Sequence, residues 1–206
     1  MLTKRQIEIL EPMAKNIHKE YSYKELKALS KENSDNGFQI AIHRFMEENL
    51  ISKKSIGTSL LLKANLSNEL LYSYITLINH KKLEKSALRI VENLKDGIEK
   101  YTLFYSLVVF GSYSDNKQTK KSDLDIAIFI QDKQKESEIK AAISTLKKRE
   151  FIKLDCHIIT NKEFLEMLSA NYTNLGKLIA QRNLPLINAG IFYKLLNKGV
   201  ENGFKY

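Results

Sequence analysis

Residues 106–130 read SLVVFGSYSDNKQTKKSDLDIAIFI, and the C-terminal half of the chain is organised around them. Ser106–Phe110 is a short apolar run, hence a buried strand. Gly111 and Ser112 follow at once, then the polar spacer YSDNKQTKK, then Ser122 and Asp123. Leu124–Ile130 is a second apolar strand with one carboxylate, Asp125, near its start. Residues 133–149 read as a charged amphipathic helix with Ile139, Ala142, Ile143 and Leu146 on its apolar side. Residues 151–159, FIKLDCHII, read as a third strand with Asp155 near its middle.

A strand that ends in Gly-Ser lets backbone approach a phosphate, and the serine hydroxyl can donate to it. Asp123 and Asp125 are two residues apart at a strand start, so their side chains point the same way. Two carboxylates so close repel each other unless a cation sits between them. Mg2+ takes oxygen ligands at about 2.0–2.1 Å and is held by one or two carboxylates plus substrate phosphates. If strands 124–130 and 151–159 pair, Asp155 completes a carboxylate triad. An aspartate between Leu154 and Ile158 on a mostly apolar strand is costly to bury without a partner, and a metal or a proton-accepting role removes that objection.

The string GSYSDNKQTKKSDLDIAIF, with the third acid in KLDCHII, resembles the signature of the DNA polymerase β-type nucleotidyltransferase superfamily. It looks most like the small stand-alone members of that group. The resemblance covers roughly residues 100–195. Where many members carry a glycine in the spacer, this chain has Asn116, which tolerates the left-handed backbone region better than most residues. The resemblance implies Mg2+ as cofactor, two ions, with Mn2+ as a substitute, at Asp123, Asp125 and Asp155. Asp155 would help deprotonate the attacking hydroxyl. Gly111, Ser112 and Ser122 would bind the nucleotide. A nucleoside monophosphate would then pass from a nucleoside triphosphate to an acceptor, with release of pyrophosphate.

Around this constellation several polar residues have bland readings. Lys117, Lys120 and Lys121 belong to a solvated loop or, alternatively, neutralise triphosphate; His157, on the face of Asp155, is a structural histidine or touches substrate; and Cys156 points the other way into the core. His18, His43 and His80 show no metal-ligand spacing. Toward the C-terminus, LGKLIAQRNLPLINAGIFYKLLNKG reads as helix, short strand, helix, with Lys177 and Arg182 in packing or surface roles or, alternatively, reaching a phosphate.

Working outward to the N-terminus, Thr3 followed by Gln6 fits a capping box. Ile9, Leu10, Met13 and Ile17 continue at helical spacing, and Pro12 implies a kink or a later start. Residues 23–31 read as a second helix. Ser34 and Asp35 cap a third, with Phe38, Ile42, Phe45, Met46 and Leu50 on one face. A turn at 53–57 between extended runs, the second beginning at Thr58, makes a hairpin. Three helices and a hairpin resemble a winged helix-turn-helix with Ser52–Gly57 as wing tip. Its third helix would present Gln39, His43 and Arg44 to base edges, and Lys53 and Lys54 of the wing would meet phosphates. The alternative is a winged helix used for packing or for a homodimer. Residues 67–100 read as two connecting helices. Ser67 caps the first, which buries Leu70, Leu71, Tyr74, Ile75 and Ile78. Leu83, Ala87, Ile90, Val91, Leu94 and Ile98 stripe the second.

Composition sets the outer limits. The 206 residues carry 33 Lys and Arg against 24 Asp and Glu, a net charge of +9 that favours polyanionic partners or, alternatively, a lysine-rich solvated surface. The single cysteine excludes an internal disulfide framework and a cysteine-based zinc cluster. No run approaches the ~18–20 apolar residues of a membrane span, and MLTKRQIEIL has no apolar signal core. The expectation is a cytoplasmic α/β (α+β) protein with no membrane partner. It comprises a winged helix at 1–66, a helical connector at 67–100 and a nucleotidyltransferase domain at 101–206 on a small mixed sheet flanked by helices. Rival roles are a DNA-binding transcriptional regulator whose nucleotidyltransferase domain senses nucleotide, and an antitoxin-like protein that acts on a partner protein.

Overall fold

The first helix starts where Thr3 and Gln6 place it. In the computed structural model, which describes residues 1–57, 59–119 and 121–205, α1 spans Lys4–Lys15. The Thr3 hydroxyl accepts from the Gln6 backbone N–H, and the Gln6 side chain accepts from Thr3 N–H. Pro12 lies inside α1 and does not delay its start. Two positions singled out above, Thr58 and Lys120, lie outside the described residues.

A two-residue strand, β1 (Tyr21–Ser22), leads into α2 (Tyr23–Ser30) and α3 (Asp35–Glu47). Ser34 caps α3 by accepting from Gly37 N–H. Phe38, Ala41, Ile42 and Phe45 of α3 are buried, as the helical spacing requires. The hairpin is β2 (Ile51–Ile56) and β3 (Ser59–Ala64), and β3 sits between β1 and β2 in an antiparallel sheet. This corrects the extent of the expected turn. Lys53 pairs with Leu62 and Lys54 with Leu61, so both lysines stand within a strand and the turn falls after Ile56, where Gly57 takes φ +58°. An edge strand exposed from Ser52 to Ser55 lacks the apolar alternation that marks a strand in sequence, and its partner β3 supplies the ladder.

Asn68, rather than Ser67, meets the start of α4 (Glu69–Lys82): its Oδ1 accepts from Leu70 N–H, and its Nδ2 donates to the carbonyls of Glu48 and Asn49. Leu70 is exposed and Tyr72 buried, a small rotation from the expected face. The chain divides into two compact units, Met1–Ile78 and Asn79–Tyr206. The 67–100 segment is therefore shared between them, with the boundary inside α4.

In the second unit, α5 (Lys85–Ile98) buries Ala87, Ile90, Val91, Leu94 and Ile98. The sheet contains β4 (Tyr105–Phe110), β5 (Leu124–Ile130), β6 (Leu154–Thr160) and β7 (Asn183–Ile187) in the order β6-β5-β4-β7. β5 and β6 are parallel, and the other pairs are antiparallel. One face packs Leu107, Val109, Ile126 and Ile128 with α5 and with α6 (Glu136–Lys147). On the other, Phe129 stacks with Phe164 of α7 (Asn161–Ser169) and Phe192 of α9 (Ala189–Glu201), ring centroids 4.8 and 5.4 Å away. Both faces are covered, which is why β4 and β5 are near-continuous apolar runs. Helix α8 (Leu175–Gln181), β7 and α9 realise the C-terminal helix–strand–helix pattern. The fold is mixed α+β, with small sheets flanked by helices.

Candidate active site

β4 delivers the chain to Gly111, where a 3-10 turn (Gly111–Asp115) begins. Gly111 takes φ +67°, a left-handed conformation that a side chain would strain. A Cβ at Gly111 would also collide with Asp125 Oδ2 and lie 3.0 Å from its Cγ. Besides the phosphate approach expected of this glycine, the structure gives it a steric role: its missing side chain is the space that the Asp125 carboxylate fills. The register explains the closeness, because Phe110 pairs directly with Asp125. The turn closes at Asn116, which adopts the left-handed conformation at φ 55°, ψ 34°, as its replacement of a spacer glycine requires.

On the other side, the parallel ladder sets Asp125 opposite Asp155. In-register residues of paired strands project to the same face, so the third strand brings its acid beside the second. Burial pushes the Asp125 carboxyl above the ordinary carboxylate range, Asp155 and Asp123 push it further, and His157 opposes them. The other two acids have cationic or histidine partners. Lys153 Nζ lies 2.6 Å from Asp123 Oδ2, and His157 Nε2 lies 3.2 Å from Asp155 Oδ2. The His157 ring also rests near Phe110, centroids 5.9 Å apart.

The donors are all carboxylate oxygens, the chemistry that suits Mg2+ or Mn2+ and not a soft metal. The crowding that raises Asp125 is what a bound cation would relieve. Among the described residues no group of three or more His, Cys, Asp and Glu side chains is gathered into a metal-holding cluster. Asp123 instead turns to Lys153 and Asp155 to His157. The residues fit the ion in kind and in strand position, with their side chains in these alternative pairings.

The remaining expected residues fall as follows. Ser112 lies in the 3-10 turn, and its carbonyl accepts from Lys117 N–H at 3.0 Å. The Ser122 hydroxyl accepts from Thr119 N–H at 2.9 Å, which closes the turn that leads into β5. Cys156 packs against the core, and burial pushes its thiol up to about 11. Lys177 donates to the Ala170 carbonyl. Arg182 Nε lies 3.6 Å from Asp115 Oδ2 and tethers the 3-10 turn to the end of α8. Lys153 is the residue that sequence reasoning missed. It stands just before β6 and looked like any surface lysine; only its place beside Asp123 across the strands sets it apart.

In the first unit, Gln39 and His43 are exposed on α3. Arg44 is tied to Glu48 at 2.7 Å and Glu47 at 3.4 Å, and His43 lies 3.4 Å from Glu47. Lys54 pairs with Glu20 at 2.8 Å. Two of the expected base readers, His43 and Arg44, are thus engaged by acids at the C-terminal end of α3, Glu47 and the C-cap Glu48. Among the described residues no helix is long and apolar enough to cross a membrane.

No curated protein and no solved structure matches the chain. Residues 92–184 match the family described as Polymerase beta, Nucleotidyltransferase. The matched segment runs from within α5 to β7 and contains Gly111, Ser112 and all three aspartates. It supports the nucleotidyltransferase superfamily for this half of the chain, and with it nucleotidyl transfer as the general chemistry.

Proposed function

We propose that the protein is an Mg2+-dependent nucleotidyltransferase that moves a nucleoside monophosphate from a nucleoside triphosphate to a hydroxyl acceptor. The observation that carries this reading is the placing of Asp125 between Gly111, which makes room for it, and Asp155, its in-register neighbour. Asp123, Asp125 and Asp155 would hold the metal, either Mg2+ or Mn2+. When bound, the ion supplies positive charge to the triphosphate and to the oxygens exchanged at the α-phosphorus. Gly111, Ser112 and Ser122 hold and orient the nucleotide. Asp155 accepts the acceptor's hydroxyl proton, and His157 fixes the orientation of that carboxylate. The hydroxyl oxygen bonds to the α-phosphorus, the α–β bridging bond breaks, and pyrophosphate leaves with the bond electrons.

The first unit is best read as a winged helix, from its order of three helices and a hairpin. Duplex DNA is its candidate partner through Gln39, His43, Arg44, Lys53 and Lys54.

The test is pyrophosphate release from each labelled triphosphate with Mg2+, with and without cell RNA and protein as acceptors. Asp155→Asn should lower turnover by at least about 10²-fold, the typical worth of general-base assistance, while Mg2+–triphosphate binding persists. Asp123→Asn with Asp125→Asn should abolish that binding. Near-normal release by Asp155→Asn would remove it from the reaction. Binding without release by the wild type, across all four triphosphates, would favour a nucleotide sensor.

A further inference from the structure

Phe151 is fully exposed, at 102% of its reference area. Leaving a phenylalanine in water forgoes the largest part of its stabilising potential, so its position calls for a cause. Looseness of the segment is not the cause, because both neighbours are anchored. The Glu150 side chain is only 7% exposed, and Arg89 and Asn93 hold its carboxylate at 3.2 and 3.0 Å. Ile152 packs against the core of the second unit. Between these two fixed points the ring of Phe151 is turned outward.

The surroundings are chemically specific. Lys153, two residues on, reaches Asp123 at 2.6 Å, and its carbonyl accepts from Leu124 N–H at 2.8 Å. Phe151 therefore stands two residues, at most roughly 7 Å of chain, before a residue that touches the carboxylate site. Lys147, Lys148 and Arg149, just before it, are exposed cations. An exposed aromatic ring beside a basic run is the combination that binds nucleotides without sequence preference: the ring stacks a base and the cations take the phosphates.

We propose that Phe151 and Lys153 form a nucleotide subsite on the β6 side of the carboxylates, with a nucleobase stacked on Phe151 and its phosphate met by Lys153. This rests on the nucleotidyltransferase reading and extends it. The base belongs either to the incoming triphosphate or to the end of an acceptor strand. In both cases Lys153 exchanges Asp123 for a phosphate, which leaves that carboxylate to the cation.

The chain contains no tryptophan, so Phe151→Trp in the full-length protein creates a single indole reporter at the proposed stack. Its fluorescence is followed with each triphosphate plus Mg2+, with a short oligoadenylate, and with inorganic tripolyphosphate as a probe that has no base. Quenching by triphosphate assigns the base to the incoming nucleotide, and quenching by oligoadenylate alone assigns it to the acceptor. Tripolyphosphate should leave the signal unchanged. Phe151→Ala should weaken binding of the quenching ligand on the order of 5- to 100-fold, and Phe151→Tyr should restore it. No base-dependent quenching, together with wild-type affinity in Phe151→Ala, would overturn the subsite. So would a Phe151→Ala variant whose only change is loss of self-association. Quenching without pyrophosphate release would uphold the subsite and count against the transfer reading; release without quenching, with wild-type affinity in Phe151→Ala, would do the reverse.

Discussion

At the scale of single residues, the contact between Gly111 and Asp125 is the strongest constraint on the site. Gly111→Ala places a Cβ where the Asp125 carboxylate lies and holds alanine at φ +67°. The backbone cost alone is roughly 1–2 kcal/mol. Urea denaturation should show at least that loss, with impaired Mg2+–triphosphate binding. In an Asp125→Gly background the same change should cost only the backbone share, since the colliding carboxylate is gone. An equal cost in both backgrounds would mean that the collision is absent. Asp125 also makes a pH prediction. Its folded pKa is raised by burial and by Asp155 and Asp123, so its ionisation works against the fold. That penalty is absent below the ordinary aspartate value and is fully developed once pH has risen past the folded one. In metal-free buffer Asp125→Asn should therefore melt higher than the wild type at pH 7, and the gap should close on acidification through that window. A gap independent of pH would show that ionisation is not its source.

Among the elements, β6 and the helix that follows it decide whether the third acid reaches the site. Thr160 and Glu163 form a capping box where β6 turns into α7. Lys133 first, and then Thr160, hold the Glu163 carboxyl down at about 2. Thr160→Ala should cost about 1 kcal/mol, the usual worth of such a cap. Glu163→Gln should destabilise at neutral pH. Because the folded pKa is depressed, the contribution of Glu163 is present above about 4.5 and disappears as pH falls toward 2. Chemical denaturation at pH 7 and pH 2.5 checks both: the Glu163→Gln deficit should shrink strongly at pH 2.5, and a deficit as large there as at pH 7 would exclude the ionised carboxylate as its source. Not all of this region was readable beforehand. Strands β4, β5 and β6 were legible because apolar runs end at glycine or at acids. The register of Asp125 on Asp155 was not, since it comes from how two strands pack and not from either alone. α7 escaped notice because only Phe164 and Leu168 of its nine residues are buried, too few for a periodic signal. β1 is two residues long and exists only through its pairing with β3.

For the molecule as a whole, two compact units carry two separable readings. The net charge of +9 is shared between them, and only direct binding can say whether the first unit uses its share on DNA. If it does, the full chain should bind duplex with an affinity that falls steeply with salt. Lys53→Ala with Lys54→Ala should then weaken all sequences alike, and Arg44→Ala should cut sequence preference. The ion pairs of Arg44 with Glu47 and Glu48 make this the more demanding part, because they must open first. No duplex binding at low salt would assign α3 to packing. The division between the two compact units lies inside α4, which has no glycine or proline to punctuate it in the sequence.

The same glycine sets an order in which this site can decay. While the acid remains at position 125, a side chain at 111 is obstructed; once the acid is gone, the glycine is under one constraint fewer. A descendant that has abandoned catalysis should thus lose the aspartate first and the glycine afterwards. Copies with Gly111 replaced but Asp125 intact should be rare among its descendants.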